Sequence, residues 1–263
     1  MLKKLLKYDL KSVYKVLIIF YSLSLFFAVL TRVFLNIEDS FILNIIGKVC
    51  SGTTISMFFN ILINNLMGLW VRFKNNFYGD ESYLTHTLPI DKKTLYLSKT
   101  LTSVITLFSS AVVIAISLFI AYYSKENIRL IKNLLLPLAT VYDSTIISIV
   151  LSLVFVLFLE IMNMLQSGYT GMVLGHRKNN NKMVFSVLLG FGTYLLTQIV
   201  AISIMFIVAL FNKDLMNLFY TVESLNVSTI KMLIYIAIII YSLNILILYF
   251  VNSKLFEKGV NVD

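Results

Sequence analysis

The sequence predicts an all-α membrane protein with six transmembrane helices, an amphipathic N-terminal interfacial helix and both termini in the cytoplasm. Of its 263 residues, 59% are hydrophobic and only 13% are charged, and the mean hydropathy is +0.87. Soluble domains carry about 25% charged residues and cannot bury so much apolar surface. Runs of about 20 apolar residues cross a bilayer as helices, whereas open sheets cannot lie in lipid.

The first predicted element is a short basic amphipathic helix at residues 1–14. Its apolar residues share one helical face and most of its lysines occupy the other. The apolar set is Leu2, Leu5, Leu6, Leu10 and Val13, and the basic set is Lys3, Lys4, Lys7 and Lys11. This pattern is typical of a helix on the inner membrane surface, and the alternative is a charged flank that only fixes topology.

Charged residues then divide the chain into six long apolar runs. These runs predict spans at residues 16–35, 49–71, 100–124, 144–175, 183–212 and 232–253. Several runs exceed the bilayer minimum, so tilted or extended helices are expected. The loop before the fourth span is apolar enough to lie at the interface, and Pro137 is expected to start or bend that span. With no internal repeat evident, residues 1–263 are interpreted as one transmembrane domain.

The distribution of Lys and Arg orients the predicted spans. Fifteen of these residues flank the spans on the side of both termini, against seven on the other side. Both termini and the connector at residues 73–99 are therefore expected in the cytoplasm. Most of the excess behind the formal net charge of +9 is explained by this topology, in which basic residues face anionic lipid headgroups, so no nucleic-acid partner is indicated.

The connector between the second and third spans holds more structure than a link requires. Residues 76–99 read "NFYGDESYLTHTLPIDKKTLYLSK". Gly79 is expected to release the chain from the second span, and Asp80 and Glu81 to open a helix of about two turns that Pro89 stops. Asp91 is a good N-cap for the helix that enters the third span. A helix, a corner and a helix would form a docking element, and the alternative is a connector without a partner.

Polar residues inside the spans are candidates for a pathway or for helix packing. Glu160 is the one acid well inside a span, where a charge costs about 2.5–3.5 kcal/mol. It is interpreted either as a functional carboxylate, or as a structural group that bonds neighbouring helices or reaches water at the cytoplasmic end. Ser167, Gly171 and Gly175 have the spacing that lets another helix approach closely. The remaining candidates are Asn64, Asn65, Asn163, Gln166 and Gln198.

An enzyme is not expected. The sequence has no GxxxxGK[ST] loop and no GxSxG, and neither His86 nor His176 lies in an HExxH motif. Cys50 is the single cysteine, so neither a thiol pair nor a metal quartet can form. No catalytic residue, metal or cofactor is therefore predicted in this chain.

The segment "GDESYLTHTLPIDKKTLYLSKTL" at residues 79–101 resembles the cytoplasmic segment between spans two and three of small bacterial permeases of the type-2 ATP-binding-cassette (ABC) exporter family. Asp91 stands where such permeases often carry Ser, which also caps a helix. Six spans, cytoplasmic termini and an amphipathic N-terminal helix extend a weaker resemblance over the whole chain. The shared positions are Gly79, Asp80, Glu81, Tyr83, Leu84, Thr85, Thr87, Leu88, Pro89, Asp91, Ser98 and Lys99.

The resemblance implies a permease subunit that forms a translocation path in a bacterial cytoplasmic membrane. Its connector would be the coupling helix seated in a separate nucleotide-binding subunit, and residues 1–14 would be the connecting helix. Two copies of a cytoplasmic ATPase would hold ATP and Mg, and a second permease subunit would be identical or related. The expected substrate is an amphipathic, for example antimicrobial, peptide, a lipid or a hydrophobic drug. The alternatives are an ion-driven secondary transporter and a non-transporting sensor or scaffold.

Overall fold

The computed structural model describes residues 1–37, 40–141, 145–212, 215–216 and 227–258. Across these residues the regular structure is entirely helical, which confirms the all-α prediction. Contacts divide the chain into two compact units, Met1–Ile128 and Arg129–Asp263. The interpretation of residues 1–263 as one transmembrane domain stays a prediction.

The first unit is a bundle of three long helices with a short helix between the second and third. The long helices are α1 (Leu2–Leu35), α2 (Phe41–Phe77) and α4 (Lys92–Tyr122), and the short one is α3 (Ser82–Thr87). α1 packs against both α2 and α4.

Small polar side chains bond the three long helices to one another. Thr31 of α1 and Thr54 of α2 approach to 3.0 Å between hydroxyl oxygens. The Ser24 hydroxyl of α1 donates to Ser117 of α4 at 3.0 Å. All four side chains are fully buried, so these bonds satisfy polar groups that lipid could not. Each such bond contributes about 0.6 kcal/mol in a membrane protein.

In the second unit, one long helix packs against two others. α6 (Ile146–Gly175) contacts α7 (Lys182–Leu210) and α8 (Val227–Glu257), while α7 and α8 share a smaller contact. α5 (Lys125–Val141) precedes α6 in the chain, and its first residues belong to the first unit.

The predicted close approach of α6 to a neighbouring helix is confirmed, and the neighbour is α7. A Cβ atom added to Gly171 would lie 2.3 Å from the backbone nitrogen of Gly190. A Cβ atom added to Gly175 would lie 2.2 Å from Ser186 Oγ. Only glycine fits at these α6 positions, because the Cβ atom of any other residue would overlap atoms of the α7 backbone. The matching small residues Ser186 and Gly190 on α7 were not identified from the sequence.

Within the described residues, six helices are long and apolar enough to cross a membrane, as predicted. Residues 1–14 do not form a separate helix, because α1 runs without interruption from Leu2 to Leu35. This stretch contains neither Gly nor Pro, so nothing ends the first helix before the span begins. The location of residues 1–14 on the membrane surface and the orientation of the termini stay predictions.

The expectation for Pro137 was wrong. Pro137 lies inside α5 and neither starts nor bends the fourth spanning helix. That helix, α6, begins at Ile146, where the Thr145 hydroxyl accepts a hydrogen bond from the Ser148 backbone nitrogen at 3.3 Å. A Thr cap therefore sets this boundary, as Ser and Thr do at many helix starts.

Replacing Gly171 with Ala is expected to destabilise the second unit, although Ala favours helix formation by about 1 kcal/mol over Gly. The added methyl group would overlap the α7 backbone, and overpacking of this kind typically costs about 1–3 kcal/mol. Thermal unfolding in detergent should show a lower midpoint. Gly192→Ala on α7 is the matched control, because a Cβ atom there meets nothing within 4 Å. Equal shifts for the two variants would contradict the close approach.

Candidate functional site

The connector at residues 73–99 forms a helix, a corner and a second helix. α2 ends at Phe77, α3 covers Ser82–Thr87, and Leu88 is extended with φ −66° and ψ 134°. Pro89 follows, and it disfavours helical geometry in the residue before it. Asp91 occupies the N-cap position of α4, but its side chain makes no capping hydrogen bond.

The start of α3 differs from the prediction. Asp80 and Glu81 precede the helix and do not form its first turn, since Glu81 is the N-cap residue. With six residues, α3 has about 1.7 turns, which agrees with the predicted length of about two turns. The physical reason is that the Glu81 side chain bonds to α2, as described below, which holds this residue outside the helix.

α3 has one face that is fixed to the bundle and one that is exposed. Ser82 is fully buried, and His86 Nε2 lies 3.1 Å from the Phe77 carbonyl oxygen. On the other face, Tyr83 is 65% exposed and Leu84 is 75% exposed. Of the other predicted docking residues, Gly79 is half-buried, and those exposed are Asp80, Glu81, Thr87, Leu88, Pro89 and Asp91.

An aromatic cluster lies beneath α3 and joins the end of α2 to the start of α4. Phe73, Phe77, Tyr78 and Tyr96 are all buried. Phe73 meets Phe77 edge to face, with ring centroids 4.8 Å apart, and meets Tyr96 at 6.2 Å with an interplanar angle of 89°. Such pairs contribute about 0.5–1.5 kcal/mol beyond their buried area. α3 therefore stands on a well-packed base.

Beside this base, five polar side chains from three helices and the connector form what we call the charge cluster: Asp9, Arg72, Asn76, Glu81 and Lys99. Lys99 Nζ lies 2.6 Å from Asp9 Oδ1, and Arg72 Nε lies 3.4 Å from the same oxygen. Arg72 Nη1 also lies 2.9 Å from Glu81 Oε2. Asn76 donates to Glu81 and accepts from Lys99. The cluster thus links α1, α2 and α4 to the residue that precedes α3.

The charge cluster holds two carboxylates and two cations, so its formal charges cancel. Asp9 is 4% exposed and Lys99 is 7% exposed, so this pair is withdrawn from water. Ser98 Oγ donates to Asp9 Oδ2 at 3.2 Å, and the Lys99 ammonium lies 5.5 Å from the centre of the Phe77 ring. Removal of one partner from such a buried pair typically costs about 3–5 kcal/mol.

The sequence analysis did not predict the charge cluster. Glu81 and Lys99 were identified only as positions of the connector, and Asp9, Arg72 and Asn76 were not identified as site residues. One signal for it was present. Asp9 lies at the centre of the apolar face that Leu5 and Val13 define at helical spacing. An acid on that face has to meet a cation or donor once the helix packs.

A cleft of about 410 Å³ opens between the start of α1, α3 and the start of α4. Its lining includes Leu5 and Tyr8 of α1, Leu84 of α3 and all five residues of the charge cluster. The cleft therefore joins the exposed face of α3 to the N-terminal residues of α1.

The predicted intramembrane polar residues all bond within or between helices of their own unit. In the first unit, Asn64 donates to the Asn60 carbonyl at 2.8 Å, and buried Asn65 donates to Ser110 Oγ at 2.8 Å. In the second unit, Asn163 donates to Thr197 at 3.0 Å. Further bonds there join Gln166 to Asn252, and Glu160 to Tyr194 and Gln198. These contacts agree with the packing interpretation, and a pathway role stays a prediction.

Replacing Lys99 with Met is expected to lower the free energy of unfolding by about 3–5 kcal/mol, because it leaves Asp9 buried and uncompensated. The double variant Asp9→Leu, Lys99→Met should recover most of this loss. Chemical denaturation in detergent measures both effects. Glu81→Gln is the control and should change the free energy of unfolding much less. The Glu81 side chain is 48% exposed, so its ion pair with Arg72 is weak. A double variant no more stable than the single variant would contradict the pairing.

Comparisons with protein families, with curated proteins and with solved structures find no match to this chain. What the chain does is therefore inferred from its own residues and their contacts.

Proposed function

We propose that this chain is the permease subunit of an ABC exporter and that α3 is the element through which a separate cytoplasmic ATPase drives it. The observation that carries the proposal is a short helix with an exposed apolar face on a buried, ion-paired base. The sequence offers no nucleotide-binding loop of its own. ATP hydrolysis would take place in the partner, and its displacement would reach this chain through contact.

The base of α3 is suited to transmit such a displacement. The aromatic cluster ties α2 to α4, and the Asp9–Lys99 ion pair ties α1 to α4. A push on α3 would therefore move three spanning helices together, because close-packed interiors deform little. A loop without these contacts would absorb the same displacement.

The outer face of α3 has the composition of a protein-binding surface. Tyr83, Leu84 and Leu88 supply exposed aromatic and aliphatic groups, and the acids Asp80 and Asp91, which flank them in the sequence, are exposed as well. Interfaces place such side chains at the centre and charged residues at the rim. Glu81 has a different role, since its carboxylate bonds Arg72 and positions α3 on α2.

The complete transporter would contain two ATPase copies with ATP and Mg and a second permease subunit, identical or related, in a bacterial cytoplasmic membrane. Export of an amphipathic peptide, a lipid or a hydrophobic drug would suit six spanning helices that each contain a long apolar stretch. No cofactor is assigned to this chain. The N-terminal residues of α1, which border the same cleft as α3, would lie on the cytoplasmic side.

A second candidate is an ion-driven carrier that works without an ATPase. It is favoured by the division into two units of three spanning helices, in each of which the first helix packs against the other two. Carriers of this kind are often built from repeated halves. The two candidates differ in whether transport depends on ATP hydrolysis by a bound partner.

The variant Leu84→Arg tests the docking role of α3. When the tagged wild-type chain is purified from its native membrane, the ATPase activity of the partner should co-purify with it. The variant should lose most of this activity, because a charge would enter the centre of the interface. A residue central to binding contributes at least about 2 kcal/mol, which is about 30-fold in affinity. Asn75→Arg adds the same charge at an exposed position of α2 outside α3 and should retain activity.

Membrane insertion of both variants is checked by extraction and size-exclusion chromatography. The carrier would be the better assignment if the wild-type chain never co-purifies with ATPase activity but still moves substrate into vesicles when an ion gradient is applied. If Leu84→Arg and Asn75→Arg co-purify with equal ATPase activity, the docking site does not lie on α3.

A further inference from the structure

α5 (Lys125–Val141) differs from the other helices because it packs along none of them. Among the described residues, the long helices contact one another in pairs, whereas α5 shares no extended contact with any of them. Its apolar side chains are accordingly exposed, from 46% at Ile128 to 74% at Leu134. The helix has 17 residues and is about 25 Å long, which is less than the hydrocarbon core of about 30 Å. α5 therefore does not belong to either helical bundle and is too short to span a bilayer.

The start of α5 is fixed to the end of a spanning helix. α4 ends at Tyr122, and the Ser124 hydroxyl, just before α5, accepts a hydrogen bond from the Asn127 backbone nitrogen at 3.0 Å. Asn127 Nδ2 also donates to the Tyr122 carbonyl oxygen at 2.8 Å. Along the chain, the next spanning helix begins at Ile146, five residues after α5 ends. α5 is therefore tethered at both ends to helices that enter the membrane.

One side of α5 is apolar. Ile128, Ile131 and Leu135 follow one another at three- and four-residue spacing, which places them on one face of the helix. Leu134 borders this face and widens it. Asn127 is the polar residue on this side, and its amide is engaged by the end of α4. This division into an apolar and a polar side is typical of helices that lie in the plane of a membrane surface.

The opposite side of α5 is basic. Lys125, Arg129 and Lys132 are four and three residues apart, so they are neighbours on this side. All three are exposed, and none forms an ion pair within the part of the chain that the structure describes. Glu126 is the one acid of the helix, and Leu136 is the one apolar residue that interrupts the basic side. α5 therefore presents a net positive charge opposite its apolar side.

These two sides match a phospholipid surface better than they match water or a protein. Water would leave the exposed apolar side chains unburied, at a cost of about 25 cal/mol for each Å². The two adjoining spanning helices keep α5 at the membrane boundary, so lipid is always within its reach. Anionic headgroups supply the negative charge that Lys125, Arg129 and Lys132 lack within the described chain.

We propose that α5 is an in-plane membrane helix that binds anionic phospholipid. Its apolar side lies at the boundary of the acyl chains, and Lys125, Arg129 and Lys132 contact the phosphate groups. Each basic residue near an anionic surface strengthens binding about 5-fold. The helix would therefore gather anionic lipid around the end of α4. This inference does not rest on the docking role of α3.

Spin labels on the two sides of α5 test its position. Ile131→Cys and Asn133→Cys, each combined with Cys50→Ala, are labelled in the full chain and reconstituted in vesicles of phosphatidylglycerol and phosphatidylcholine. The Ile131 label should collide mainly with oxygen, which dissolves in lipid, and the Asn133 label mainly with a water-soluble nickel chelate. Frequent collision of both labels with nickel would place α5 in water. Little collision of the Ile131 label with either reagent would mean that protein covers this side. Either result would overturn the proposal.

Brominated lipids test the preference for anionic headgroups. A fluorophore on Ile131→Cys should be quenched more by brominated phosphatidylglycerol than by brominated phosphatidylcholine at the same mole fraction, because the three cations enrich the anionic lipid nearby. Adding Lys125→Gln, Arg129→Gln and Lys132→Gln together should make the two quenching values equal.

The matched control removes three exposed cations from α1, as Lys3→Gln, Lys4→Gln and Lys7→Gln. These residues lie at the end of the first unit where α4 begins, so the preference measured at Ile131 should remain. Equal quenching by the two lipids without any lysine or arginine replacement would show that α5 does not select anionic lipid. A loss of preference in the control as large as in the α5 variant would also overturn the proposed site.

Discussion

The buried ion pair between Asp9 and Lys99 is the contact on which the arrangement of the first unit depends. It joins the N-terminal end of α1 to the N-terminal end of α4, and Asn76 and Arg72 extend it to α2 and Glu81. Moving both charges out of water has a large desolvation free energy, which their attraction offsets only when the geometry is good and further hydrogen bonds form. Any sliding of α1 against α4 would break this geometry. The pair therefore fixes the register of the helices that carry α3.

The two units place their polar groups at different positions along their long helices. In the first unit the charges gather at the ends of the helices, next to an exposed short helix and an open cleft. In the second unit Glu160 lies at the middle of α6, and a glycine contact near the end of that helix brings α6 and α7 together. The first arrangement suits a partner that arrives from water, whereas the second bonds α6 to α7 within its own unit.

Much of the fold could be predicted from local patterns. Charged residues mark the ends of the six long helices, Gly79 and Pro89 bracket α3, and the glycine spacing on α6 indicates its close neighbour. The pairing of charges could not be predicted, because Asp9 and Lys99 are 90 residues apart and meet only through tertiary packing. The same limit applies to Glu160, whose partners Tyr194 and Gln198 lie on another helix. The continuity of α1 was missed because a change from amphipathic to uniformly apolar pattern does not by itself end a helix.

The long separation of Asp9 from Lys99 also has a consequence for biosynthesis. Ribosomes add about 5–20 residues per second, so the 90 residues between the two side chains take on the order of 5–20 s to appear. During that interval Arg72, which follows Asp9 by 63 residues, is the cation from another helix that can meet the acid of α1. The closer pair with Lys99 can form only after α4 is made, so the first unit would reach its final packing only then.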